Sequence, residues 1–334
     1  MMSVEPCGII RMQSVSPLLP GRHESMEALS PNLRPRHEEL LPTPCGPVKQ
    51  WSEIQLLVKI YFCFTIISML ALFILTVVNL ATEKWKKGED DDLSISIIQI
   101  VGIGFCVYYI IRGVWQENRQ ELIVFVVCVL VVMARSIINF SVLKEKETLI
   151  MVRFVCFICV GVVHLICASL LICRPNMMDF RVGGALESLQ KQYRLLNLCF
   201  SMVTFDLQAQ TCLCILILTS GKSVSSTHAT ILAIGIAWAI ITALTGAISV
   251  LKEKKILVWV FVLMNLPQLA YFIYLLYTII TDWGQSKTFI LEAASITGCV
   301  TSVIIKGVLF WGLVHLYRSF GQGLRERMFA PDKP

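Results

Sequence analysis

Eight apolar runs, each long enough to cross a bilayer, follow one another between residues 54 and 316, and this succession constrains the fold more than any other feature of the chain. About 20 helical residues at 1.5 Å rise span roughly 30 Å of hydrocarbon. The runs cover about 54–81, 94–114, 122–142, 150–173, 195–219, 229–250, 256–280 and 288–316. Lipid offers the backbone no hydrogen-bond partners, so each run must satisfy its own N–H and C=O groups as a helix. The expectation is an all-α, polytopic transmembrane helix bundle over residues 51–318. Composition agrees: 56% of the 334 residues are hydrophobic, only 16% are charged, and the mean hydropathy is +0.71. That is too apolar for a soluble domain of this length.

The flanks differ. Residues 1–50 hold eight of the 12 prolines and show no sustained periodicity, which predicts a disordered tail. No apolar segment of signal-peptide type lies in its first 30 residues. Ser16-Pro17, Ser30-Pro31 and Thr43-Pro44 fit proline-directed phosphorylation, although ordinary tail composition is the favoured account of them. Residues 319–334 form a short C-terminal tail.

Lys and Arg placement orients the bundle, because cytoplasmic loops concentrate them. With eight spans and the N-terminus inside, eighteen Lys and Arg residues fall in the inner segments and seven in the outer ones. Both termini are therefore expected in the cytoplasm. The net charge of +6 is spread through these short loops, which speaks for topology and lipid headgroups as partners and against nucleic acid. Leu186, Leu189, Tyr193 and Leu196 recur at helical spacing in the loop before the fifth run. They fit either an interfacial amphipathic helix or an early start of the fifth span.

A duplication is visible in outline. Gly102 and Gly113 match Gly235 and Gly246 at one offset, Cys63-Phe64 matches Cys199-Phe200 at a similar one, and the second and sixth runs each end in a short charged turn. Two four-span halves of the same orientation would form a parallel repeat.

Most span-end polar residues, such as Lys59, Arg112, Arg153 and His315, need only snorkel to the headgroups. Asp206 is different, because a carboxylate deep in an apolar run must face protein or water. Arg135 in the third run and Asp206 in the fifth lie about 20 Å and 16 Å from the inner surface at 1.5 Å per residue. They are expected to pair, with Asn139 and Gln210 one turn further along on the same faces. Gln208 points about 160° away from Gln210 and should face another seam. Glu292, near the outer end of the eighth run, is a further candidate for this polar core, whereas Lys306 is expected to snorkel inward. Pro267, in Asn265-Leu266-Pro267-Gln268, frees a helix carbonyl and is a candidate hinge.

The chain lacks the marks of intramembrane enzymes. Asp206 is the single Asp in a span core, so no aspartyl dyad forms. The five histidines do not cluster, and His164, the one deep histidine, has no marked serine partner. Cys156 and Cys159 have metal-like spacing but no second ligand pair, and the 13 cysteines form no disulfide framework. No enzyme activity, cofactor or metal is expected. The best functional expectation is a transporter- or channel-like protein that moves a small solute or ion through a polar midplane site. The alternative is a receptor-like or scaffolding protein whose buried charges are structural and whose tails recruit cytoplasmic partners.

Overall fold

A computed structural model describes residues 40–41, 43–86, 90–142, 148–174, 177–220, 226–281 and 290–329. Within its helices, the side chains of some end positions and of residues 135, 139, 271, 274 and 292 lie outside the description. The expected disordered segment 1–39 also lies outside it.

The architecture is a helical bundle. In chain order its helices are α1 (Leu56–Lys86), α2 (Asp90–Trp115), α3 (Arg119–Val142), α4 (Thr148–Ile172), α5 (Met178–Gly183), α6 (Glu187–Ser220), α7 (Ser226–Leu251), α8 (Lys255–Thr281), α9 (Ile290–Arg318) and α10 (Leu324–Phe329). Among the described residues, six helices are long and apolar enough to cross a membrane, within α1, α2, α4, α6, α7 and α9. A shorter apolar stretch, Lys255–Ala270, opens α8. These helices support a membrane protein. Their outward faces carry large apolar side chains such as Ile67, Ile166 and Leu263, as expected where lipid rather than water is the solvent.

Two closed groups of four helices make up the bundle. In the first, α1 packs on α2 and α4, α2 on α3, and α3 on α4; in the second, α6 packs on α7 and α9, α7 on α8, and α8 on α9. Contact between the groups runs through α6, which lies against α2 and α3. The turns α2–α3 and α7–α8 are equally tight. Each holds a glutamate, Glu117 at φ 46° and Glu253 at φ 50°, and these are the only described non-glycine residues with positive φ. Such a backbone is uncommon for residues with a Cβ. Close approach near each turn needs a glycine: a Cβ on Gly113 would lie 2.7 Å from Leu122 Cδ2, and one on Gly246 would lie 2.6 Å from Phe261 Cε2.

Residues 40–41 and 43–50, assigned to the disordered tail by composition, are folded. Strands β1 (Leu40–Leu41) and β2 (Val48–Lys49) form an antiparallel hairpin. Leu40 enters the same core as Met178, Leu324 and Met328, and Lys49 pairs with Glu117. Arg181 reaches Glu53 at 2.9 Å, and Gln192 donates to the Ser319 carbonyl at 3.0 Å. The hairpin, the α2–α3 turn, α5 and the C-terminal segment therefore gather at one end of the bundle. Burial of Leu40 against this core explains why the hairpin docks: short strands alone are marginal in water. The ambiguous segment before the fifth run resolves as an early helix start, since Leu189, Tyr193 and Leu196 all lie buried on α6.

Candidate functional site

Asp206 stands on α6 in the interior of the second helix group, and its charge is met by Lys306 of α9. Lys306 Nζ lies 2.8 Å from Asp206 Oδ2, 2.8 Å from Asn265 Oδ1 and 2.9 Å from Gln268 Oε1. An ammonium has three protons, so all three are taken within the protein. Gln210, one turn along α6, donates to Asp206 Oδ2 at 2.8 Å and to Gln268 Oε1 at 2.6 Å. Asn265 Nδ2 donates back to the Phe261 carbonyl of its own helix. The Phe272 ring centroid is 5.8 Å from Lys306 Nζ. All five polar side chains are at least nine-tenths buried. Two atoms of the network have no hydrogen-bond partner among the described residues: Asp206 Oδ1, an acceptor, and Gln268 Nε2, a donor.

This geometry corrects the expectation for Lys306, which is buried and paired rather than snorkelling inward. It unites Asp206 with Gln210 as expected and gives Asp206 a partner in Lys306, while the expected pairing with Arg135 falls outside the described residues. Arg135 and Asn139 lie on α3 and Glu292 lies on α9, and the side chains of all three fall outside the described residues. Pro267 lies inside the continuous helix α8, between the two network amides Asn265 and Gln268. Depth along the chain could have revealed Lys306: it lies about 18 Å from the inner end of α9 at Arg318, comparable to Asp206 at about 16 Å along its own run.

Gln208 faces the other way. Its Oε1 accepts from Tyr109 Oη of α2 at 2.9 Å and from Cys128 Sγ of α3 at 3.3 Å. The 160° separation from Gln210 thus puts the two amides in different helix groups. Nearer the hairpin end of the same seam, Arg112 Nη1 lies 2.7 Å from Glu121 Oε1, Arg112 Nε lies 2.9 Å from Gln116 Oε1, and the guanidinium carbon sits 3.6 Å from the Phe200 ring centroid. Arg112 was also expected to snorkel. The tight α2–α3 turn instead folds Glu121 back onto it, so both ends of the pair are buried.

The first group has a polar pair of its own. Ser68 Oγ of α1 is 2.9 Å from His164 Nε2 of α4, so His164 has the serine partner that the sequence did not reveal. Ser68 donates its one hydroxyl proton to the Thr65 carbonyl at 2.9 Å. Its oxygen is then an acceptor and Nε2 carries the hydrogen, the reverse of a histidine acting as base on a serine. Nδ1 has no partner among the described residues. Rings of Tyr61, Phe64 and Phe125 surround the imidazole, and beside it opens a cavity of about 30 Å³ with an apolar lining that includes Leu72, Val129 and Val132. Among the described residues, no group of three or more His, Cys, Asp or Glu side chains is arranged to hold a metal ion.

No curated protein and no solved structure matches this chain. A sequence family does match it, over residues 45–173 and 183–315, which hold the first four long helices and the last four up to His315. With most of its length covered in this way, the chain belongs to the family described as domain of unknown function DUF7789.

Proposed function

We propose that this protein is a membrane transporter or channel for a small solute or ion, built as two parallel four-helix halves with eight spans and both termini in the cytoplasm. The Asp206–Lys306 network is its midplane polar site. One observation carries the reading: a buried charge pair on α6 and α9, closed by amides on either side of Pro267, holds an acceptor and a donor that have no hydrogen-bond partner among the described residues. Ionisable groups inside spans mark solute and proton paths, and a proline beside them gives α8 a place to bend.

Several correspondences support the two halves. Ser68 and Asp206 each stand 23 residues past the start of a matched segment, at 45 and at 183, and Leu72 and Gln210 each stand 27 past it. His164 and Lys306 each stand 9 residues before a segment end, at 173 and at 315. Counted from Glu117 and Glu253, Val129 corresponds to Asn265 and Val132 to Gln268. A polar pair thus joins the first and last helix of each half. Where the second half fills the neighbouring space with three amides, the first half has three aliphatic side chains and a cavity. Gathering of the hairpin, the α2–α3 turn, α5 and the C-terminal segment at one end supports an even number of crossings between them, and the excess of Lys and Arg there favours the cytoplasmic side.

A second reading is favoured by the saturation of Lys306, all of whose protons are taken internally. In it the network is a structural clamp, and the protein is a receptor-like or scaffolding membrane protein whose tails recruit partners. The deciding experiment combines two measurements on protein in proteoliposomes. Under the transport reading, a Gln268→Cys variant reacts with a small charged thiol reagent applied from one side, and Asp206→Asn/Lys306→Met keeps the fold while altering ion leak. Full protection of residue 268, together with unchanged leak in the folded double variant, would overturn it.

A further inference from the structure

Four cations converge on the short segment that leads into α1, where the 3₁₀ turn Trp51–Glu53 and the following Gln55 hold them. Lys59 Nζ lies 3.4 Å from the Ser52 carbonyl, Arg181 of α5 pairs with Glu53 at 2.9 Å, and Arg174, just past α4, donates to Gln55 Oε1 at 2.7 Å. Arg119, the first residue of α3, donates to the Arg174 carbonyl. Lys59 stands one turn beyond Gln55, its N–H bonded to the Gln55 carbonyl at 3.0 Å, so Lys59 and the amide that holds Arg174 share one face of the chain. Glu53 answers one of the four charges, and Asp179, the acid of α5, pairs with Arg194 at 3.8 Å. The cluster is left with more positive than negative charge.

Its surroundings are apolar and exposed. Leu56, Ile60, Phe64 and Ile67, at three- and four-residue spacing, form an exposed stripe that runs from the cluster along α1. Met177 and Phe180 are exposed within four residues of Arg181. Trp51 is exposed as well, with Lys59 Nζ 5.6 Å from its ring centroid. Tryptophan and cations at the end of an apolar helix face mark the boundary between headgroups and hydrocarbon.

We propose that this cluster is a docking site for an anionic phospholipid, with the headgroup phosphate on Lys59 and Arg174 and an acyl chain along the α1 stripe. Charge complementarity carries the choice of ligand. A guanidinium meets phosphate oxygens with parallel N–H donors, and an ammonium adds a point charge beside it. Basic clusters at the cytoplasmic ends of spans attract the anionic lipids of that leaflet. An acidic protein segment would match the charge but not the stripe that continues into the hydrocarbon; a lipid matches both. The site requires only that these helices lie in a membrane and is independent of the transport reading.

The test is native mass spectrometry of the full-length protein in a neutral detergent, titrated with dioleoyl phosphatidylglycerol, phosphatidylserine or phosphatidylcholine. The parent is expected to prefer the two anionic lipids over phosphatidylcholine by about tenfold. Lys59→Gln/Arg174→Gln, with its unfolding midpoint checked against the parent, should bring that preference to within about twofold. Lys252→Gln/Lys254→Gln removes the same charge from exposed positions of the α7–α8 turn and should leave the preference intact. Equal loss in both variants would mean bulk attraction only. A parent without preference would leave an acidic protein segment as the occupant, and displacement of the lipid by excess inorganic phosphate would make a soluble anion the ligand; each of these overturns the proposal. If the double variant unfolds, Lys59→Gln alone, at a partly exposed side chain, should weaken anionic lipid binding by about fivefold, and unchanged binding would overturn the site.

Discussion

Gln208 and Gln210, two positions apart on α6, hydrogen-bond into different helix groups of the bundle, the first to Tyr109 and Cys128 and the second to Asp206 and Gln268. One helix therefore serves as a wall of both groups, with a neutral polar face on one side and a charged polar face on the other.

The charged face should show strong coupling. Asp206→Asn leaves the Lys306 ammonium buried without its counter-charge, and breaking such a pair costs about 3–5 kcal/mol. Lys306→Met should be similarly costly alone. The double variant should recover most of the loss, because both buried charges are then gone. A double-mutant cycle from denaturant unfolding in detergent measures this, and additive losses would contradict the pairing.

On the neutral face, Gln208→Leu removes one acceptor that serves two donors. A loss of about 1–3 kcal/mol is expected, since Tyr109 Oη and Cys128 Sγ are both left without it. Tyr109→Phe in the Gln208→Leu background should cost almost nothing further. Unfolding midpoints of the two single variants and the double variant decide the matter.

His164 offers a directional test of its tautomer. Ser68→Ala strips the Nε2–H of its acceptor and should destabilise by about 1–3 kcal/mol. Replacing His164 by Leu should cost less than the sum of both changes implies, because Ser68 keeps its bond to the Thr65 carbonyl. Nitrogen-15 chemical shifts of the imidazole read the tautomer directly, and a hydrogen on Nδ1 would contradict the assignment.

Close packing at the turns predicts a graded alanine series. Gly113→Ala and Gly246→Ala each force a Cβ within 2.7 Å of a neighbouring side chain, an overpacking worth about 1–3 kcal/mol. Gly104→Ala meets nothing within 4 Å and should be neutral or slightly stabilising. Thermal unfolding of the three variants checks the order.

Much of this was legible in the sequence. Bilayer length and backbone hydrogen bonding are local requirements, so the apolar runs announced the long helices. Angular position on one helix is local too, which is why the opposed directions of Gln208 and Gln210 could be foreseen. Pairing between helices is not local. Lys306 lies at the depth of Asp206, and that the two meet depends on which helices are neighbours in the closed second group. Depth along a run carries no information on that. Arg112 was misjudged for a related reason: position near a span end permits snorkelling, but the three-residue turn to α3 delivers Glu121 to it. The partner of His164 lies 96 residues away, and an ordinary serine in an apolar run leaves no signal.

The position of α6 sets a limit on how this molecule can change shape. Three charge-assisted or amide contacts of Lys306 tie α6 to α8 and α9, whereas Gln208 offers two neutral bonds to α2 and α3. If the halves rock against each other, the weaker boundary yields first, so α6 travels as a member of the second half and the gap opens along Tyr109, Cys128 and Arg112. Motion of that kind would unzip the molecule along the neutral face of its shared helix.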